Sequence, residues 1–308
     1  VSEDERVITY MAQQALMPGN SFDVRVQFPH GLLPTTTPEW QVAEQRSDAI
    51  GLGVLALSLL LFVVGPLSVV LLWYTRGRDP QLGIVVPDYI TEPPDALPPA
   101  MVGSLIDENV DMQDIMSTLV DLAHRGYVIM EEEKKGYTFI RTDKQDVDLR
   151  GFENRFLKDV FRGDDIRTLS SLQYKFAGNI PTLRNMIIDN LIDKGYLPHS
   201  PQSVRSHYTW LAALVFILGI ASLFFLGMFM GSNAGLVCFP VGAIIITAIA
   251  LFIAARHMPR KTAKGAEASA KWLAFKKYLQ NIKQYADIEN SNEIFEKYLA
   301  YAIAFGLE

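Results

Sequence analysis

Five histidines and one cysteine are the residues of this 308-residue chain best suited to bind a metal or to act as base and nucleophile. Such chemistry needs them in register: HExxH sets two imidazoles on one helical face, and CxxC sets two thiolates on one turn. His30, His124, His199, His207 and His257 stand at no such spacing. Cys238 is single, so these residues hold no multi-cysteine metal site and no disulfide framework. It lies in an apolar run, where a thiol behaves as a small hydrophobe. Asp164 and Asp165 have Arg162 and Arg167 beside them, the composition of a solvated turn. P-loop, GxGxxG and GxSxG patterns do not occur, and nothing brings together a nucleophile, a base and an oxyanion donor. The expectation is a protein that is not an enzyme, with no catalytic, cofactor-binding or metal residues, no cofactor and no identifiable small-molecule substrate.

The elements that carry these residues are dominated by membrane-length apolar blocks. Overall the chain is 49% hydrophobic and 20% charged, but residues 49–73, 208–230 and 235–255 are uncharged runs of 25, 23 and 21 residues. About 20 helical residues cross a hydrocarbon core of about 30 Å, so three transmembrane helices are expected, the second and third forming a hairpin. Pro66 and Pro240 are tolerated in such helices because neighbouring helices satisfy the freed backbone groups. Basic residues crowd one set of helix ends: Arg76, Arg78 and Arg205, then Arg256, Arg260, Lys261 and Lys264. The opposite ends offer Arg46, offset by Glu44 and Asp48. Cytoplasmic loops retain Lys and Arg, so the expected topology is N-terminus outside and C-terminus in the cytoplasm, with Trp73 and Trp210 at the inner interface. No ionisable side chain falls in the middle of any of the three blocks, which speaks against an ion or proton pathway. Gly227 and Gly231 form one GxxxG at a helix end.

Outside the membrane, residues 7–11 and 22–28 alternate like antiparallel strands around the turn chemistry of Pro18, Gly19 and Asn20. Two strands do not stand alone, so residues 1–40 read as the last strands of an extracellular β-sandwich begun upstream of Val1, plus a linker with Trp40 at the outer interface. Residues 74–98 form a Pro-rich linker. Residues 99–200 read as a tandem pair of winged-helix-like units: an amphipathic helix stopped by Gly126 and followed by a hairpin over 127–142, then a second version in which NLIDKGYL repeats DLAHRGYV. Residues 256–308 continue as helices with Trp272, Phe275, Leu279 and Ile282 on one stripe and lysines on the others. Packing against the winged-helix unit explains that pattern better than adhesion to anionic lipid. The fold class is thus a membrane α-helical protein with an extracellular β remnant and a cytoplasmic α+β domain.

Four segments, LPPAMVGSLID (97–107), STLVDLAHRGYVIMEEE (117–133), TAKGAEASAKWLAFKKYL (262–279) and FEKYLAYAIAFGLE (295–308), resemble the YciQ-type predicted membrane proteins, a bacterial family built on a domain of unknown function. The resemblance runs in order along nearly the whole chain. It implies a multi-pass protein of the bacterial inner membrane with a β-sandwich upstream, and it supplies no catalytic residues. Ala300 stands where that pattern usually has Pro. A net charge of −6 and the Glu131, Glu132, Glu133 run on the expected wing argue against nucleic acid. The expected role is a membrane-anchored interaction or scaffold protein, an accessory subunit whose partners are membrane lipid and other membrane or envelope proteins. Membrane-tethered signalling is the alternative.

Overall fold

Pro38 opens the first long helix, its carbonyl accepting from the amides of Gln41 and Val42 at 3.0 and 3.2 Å. The computed structural model describes residues 10–11, 23–27, 29, 37–81, 83–133, 136–169, 177–229, 235–282 and 288–307. The chain divides into two compact units, residues 1–52 and 53–308. In the first, residues 10–11 and 23–27 form no strand, so the expected sandwich strands are not seen there; the remainder of 7–11 and 22–28 lies outside the described residues. Strands need partners on at least one edge, and none of the described residues pairs with these.

Helix α1 spans Glu39–Leu72, ten residues more than its apolar block required at the N-terminal end, and passes through Pro66 uninterrupted. It closes in a π-helical turn, Trp73–Gly77, in which the Thr75 hydroxyl donates back to the Leu71 carbonyl at 2.9 Å. Among the described residues three helices are long and apolar enough to cross a membrane: Glu39–Gly77 with its terminal turn, Pro201–Met228 and Gly235–Ala255. The second and third pack along their length through Ala212, Val241, Ala248 and Leu251. The first joins them where Val69 meets Ala212 and Leu251. At Gly65 a Cβ would overlap the Thr247 hydroxyl, whereas Gly227 faces open space. Gly65→Leu is therefore expected to cost about 1–3 kcal/mol by overpacking, read as a lower thermal midpoint in detergent, with Gly227→Leu unchanged. A Gly65→Leu protein melting like wild type would refute this helix contact. Gly227, the first residue of the GxxxG pair, has no described residue against it, and Gly231 lies outside the described residues.

The domain beyond the membrane is built on α2 (Pro99–Asp107), α3 (Met112–His124), the hairpin β1 (Val128–Glu133) and β2 (Gly136–Arg141), α4 (Gly151–Phe161), β3 (Ile166–Thr168), α5 (Ile180–Asp193), α8 (Ala263–Gln280), α9 (Ile288–Lys297) and α10 (Leu299–Ala304); α6 (Pro201–Phe229) and α7 (Cys238–Ala255) are the membrane hairpin. The expected repeat is present as a helix ending. After α3, Gly126 at φ 77° lets Tyr127 N–H reach the Leu122 carbonyl and Gly126 N–H reach Ala123; after α5, Gly195 at φ 74° does the same with Tyr196, Leu191 and Ile192. Both are Schellman caps, which need the left-handed glycine. The two units do not fold as tandem copies, however. The only sheet among the described residues has the order β1-β2-β3, all antiparallel, and β3 comes from the stretch between the two repeated segments, ahead of the second cap. The second cap leads into α6 because Pro198 and Pro201 follow it, and proline lacks the N–H that a ladder strand needs.

One core joins both sides of the membrane hairpin in sequence. Leu105, Leu122, Phe139, Phe156 and Leu191 share a buried cluster with Trp272, Phe275, Tyr298 and Phe305. The lysine stripe of α8 accordingly faces outward, with Lys277 3.6 Å from Asp88. Tyr301 in α10 stacks on Trp272 with ring centroids 5.2 Å apart and donates its hydroxyl to the Leu97 carbonyl at 2.8 Å, pinning the chain end to the start of the domain. Burial, with the charges of Asp121 and Asp95 adding to it, raises the phenol well above its ordinary range, so it stays a donor at every working pH. Tyr301→Phe is expected to cost about 1 kcal/mol in unfolding free energy, and no measurable loss would show that the bond contributes nothing net.

Candidate functional site

The residues with the greatest concentration of charge and burial lie where the three long helices leave their apolar runs. Lys261, six residues past the end of α7, is 7% exposed. Its ammonium donates to the Glu108 carboxylate at 2.7 Å and the Ile106 carbonyl at 3.3 Å, and lies 3.6 Å from Asp79. Its own backbone N–H donates to Asp79 at 2.6 Å. Glu108 holds φ 59°, a left-handed value unusual for a residue with a side chain, and this turn ends α2. One cation thus ties the exit of the first membrane helix, the end of α2 and the exit of the third. Buried ion pairs are held by geometry and extra hydrogen bonds, both present here. Just beyond, Thr262 caps α8 by accepting from Gly265 N–H at 3.0 Å, and its own N–H donates to the Tyr196 carbonyl at 3.0 Å. Gly265 lies so close to that carbonyl that no Cβ fits. The two connections into the hairpin are therefore locked to each other.

Beside this node is a cavity of about 630 Å³ bounded by the same three helix exits. Arg76 comes from the π-helical turn, His199, Ser203, His207 and Tyr208 from the start of α6 and the residues before it, and Arg260 from the segment after α7. Met258 and Pro259 are buried on its wall, while the arginines and histidines are exposed. No carboxylate lines it. A smaller cavity of about 230 Å³ lies on the other side of the α6 start, between Glu108, Arg184 and Arg205. There the buried Arg205 Nε has no hydrogen-bond partner among the described residues, and Arg205 lies near enough to Asp107 to act on it by charge.

Inside the domain, α3 begins with a capping box: Asp111 takes the N-cap position, and Asp114, 2% exposed, accepts from Asp111 N–H at 2.9 Å and from the Ser104 hydroxyl at 3.3 Å. Burial, reinforced by the charges of Asp107 and Asp111, pushes the Asp114 carboxyl up to about 8. Arg125 at the other end of α3 bridges Asp121 and the buried Glu153, both at 3.0 Å, the second across to α4. These groups hold helices together.

The structure scatters most of the residues singled out from sequence. His124 closes α3 at the surface, and His257 is exposed after α7. Cys238 is exposed at the start of α7. His30 lies outside the described residues. Asp164, in the turn before β3, pairs with Arg167 in that strand. Only His199 and His207 come together, on the rim of the larger cavity. No group of three or more His, Cys, Asp and Glu side chains suited to a metal occurs among the described residues. In the sequence Lys261 and Arg76 stand out only as topology signals; Asp79, the partner of Lys261, sits 182 residues away in the chain.

Residues 86–308 match the family model described as the C-terminal domain of a predicted membrane protein, DUF2207. The chain belongs to this family. That description carries membrane residence and unknown function; the narrower YciQ-type label is not part of it. Comparison with curated proteins and with solved structures gave no match. The matched DUF2207 segment contains Glu108, Lys261, His199, His207 and Arg260, whereas Asp79 and Arg76 precede it. The node and the larger cavity therefore each combine this domain with the helix in front of it.

Proposed function

We propose that this DUF2207 protein is a membrane-anchored interaction protein, an accessory subunit that mounts an α+β domain in a fixed position against the inner face of a bacterial cell membrane. The observation that carries this reading is the Lys261 node, with the Thr262–Tyr196 hydrogen bond beside it: domain and membrane helices are braced at several points rather than tethered by a loose linker. Fixed placement suits a part that must dock to a neighbouring membrane protein, and it has no use in a simple tether. The three apolar helices carry no ionisable residue at mid-height, so they serve as an anchor. The basic residues at the helix exits support an orientation with the domain and the C-terminus in the cytoplasm and the N-terminus outside.

Two measurements test this. A cysteine placed at Val85, 98% exposed, is expected to resist a membrane-impermeant maleimide in intact cells, and one at Val42 is expected to react; the reverse would invert the topology. Crosslinking in native membranes followed by purification in mild detergent is expected to recover one and the same membrane protein each time. Recovery of a solitary monomer would overturn the proposal.

A further inference from the structure

We infer that the cavity at the helix exits is a specific binding site for a phosphate headgroup, that of an anionic phospholipid in the leaflet bordering the basic helix ends. Position supports this first. The apolar runs end at Trp73 and Ala255 and begin at Tyr208, so Arg76, Arg260 and the residues 199–208 lie within about two helical turns of hydrocarbon, at headgroup depth. Trp73 and Trp210, 38% and 74% exposed, flank the same level, where indole rings prefer to sit.

Chemistry supports it second. A phosphodiester wants guanidinium groups, which offer paired N–H donors, and neutral donors to fill the remaining oxygens. The cavity presents Arg76 and Arg260, two imidazoles at His199 and His207, and the hydroxyls of Ser203 and Tyr208, with no carboxylate among its lining residues. Five arginines elsewhere in the domain, Arg125, Arg141, Arg150, Arg155 and Arg167, each pair with an acid at 3.5 Å or less. Arg78, near Arg76, stacks on Tyr74 at 5.5 Å. Among the described residues Arg76 and Arg260 have no ion pair. Retention of basic residues on the cytoplasmic side requires only that they be near the helix ends; it does not require that they converge from three chain segments on one concavity. The volume, about 630 Å³, is that of a small-molecule site. This inference does not depend on the interaction-protein reading.

The protein is reconstituted in nanodiscs of phosphatidylcholine containing phosphatidylglycerol, and lipid retained after exchange into detergent is counted by native mass spectrometry. Wild type is expected to retain about one phosphatidylglycerol per chain and no phosphatidylcholine. Each arginine should contribute about fivefold, so R76Q/R260Q is expected to lose more than tenfold in retention. R78Q/R256Q, equally close to the membrane but outside the cavity, should match wild type. Ser203→Trp, an exposed position on the cavity wall, fills the space without changing charge and is expected to abolish retention with an unaltered melting temperature. Equal losses in the two arginine pairs, or retention surviving Ser203→Trp, would reduce the site to bulk surface charge and overturn the inference. Inorganic phosphate at millimolar concentration is the other arm: if it saturates the detergent-solubilised protein and displaces phosphatidylglycerol completely, the site belongs to a soluble phosphate and the lipid assignment falls.

Discussion

Lys261→Met is expected to lower the unfolding free energy by about 3–5 kcal/mol, the usual consequence of removing one partner from a buried ion pair. Glu108 would remain, its side chain 14% exposed, with its carboxylate stripped of the ammonium now 2.7 Å away. Asp79 would suffer less. Its side chain is 41% exposed, and it keeps the hydrogen bond from the backbone N–H of residue 261, which methionine also offers. The loss should therefore trace to Glu108. Lys261→Met/Glu108→Gln, which removes the orphaned charge, is expected to recover more than half of it. The measurement is denaturant or thermal unfolding in detergent, followed by the fluorescence of the buried Trp272. A double variant no more stable than the single one would show that the node acts by packing of the lysine stem and not by charge. A single variant as stable as wild type would remove the bracing argument altogether.

The membrane helices were legible in the sequence because hydrophobic length is a local property: 49–73 and 235–255 fall within the helices observed, and 208–230 matches α6 as far as Phe229, residue 230 lying outside the described residues. The helix stops at Gly126 and Gly195 were legible for the same reason, since a left-handed cap is written in one residue and its neighbours. The tandem winged-helix expectation failed where a local repeat was extended to a global one. NLIDKGYL and DLAHRGYV share a cap, but the prolines after the second prevent a hairpin, and β3 has only three residues, too few for its own pattern to show. The site was hidden for a different reason. Lys261 meets Asp79 and Glu108 across 182 and 153 residues, and Arg76 meets Arg260 at a cavity only once three helices have packed. A tally of charges near helix ends records each of these residues once and cannot tell a partnered cation from an unpaired one. What distinguishes them is burial, and burial is decided by the tertiary fold.

Burial also fixes the sign of the pH response. In the unfolded chain Asp114 releases its proton near 3.8, whereas in the folded domain it keeps it up to about 8. Between those values the folded state binds the extra proton, so stability falls as pH rises, by up to about 1.4 kcal/mol per unit. Below the window both states are protonated and nothing is lost; above it the buried carboxylate imposes its full cost, several kcal/mol. Asp107 and Asp121 are raised as well, chiefly by burial, and add slope of the same sign. Asp114→Asn separates the contributions. The amide oxygen can still accept from Asp111 N–H and keep the start of α3 capped, but nothing at position 114 titrates. The variant is expected to match wild type within about 1 kcal/mol at pH 5, the scale of one cap, and to exceed it by several kcal/mol at pH 8.5. Its remaining slope then measures Asp107 and Asp121. Parallel stability curves for wild type and variant between pH 5 and 8.5 would mean that Asp114 is ionised in the folded domain throughout. The α3 cap would then have to be hydrated, contrary to the burial of Asp114 against Gly103 and Ser104 of α2, with the Ala304 carbonyl of α10 alongside.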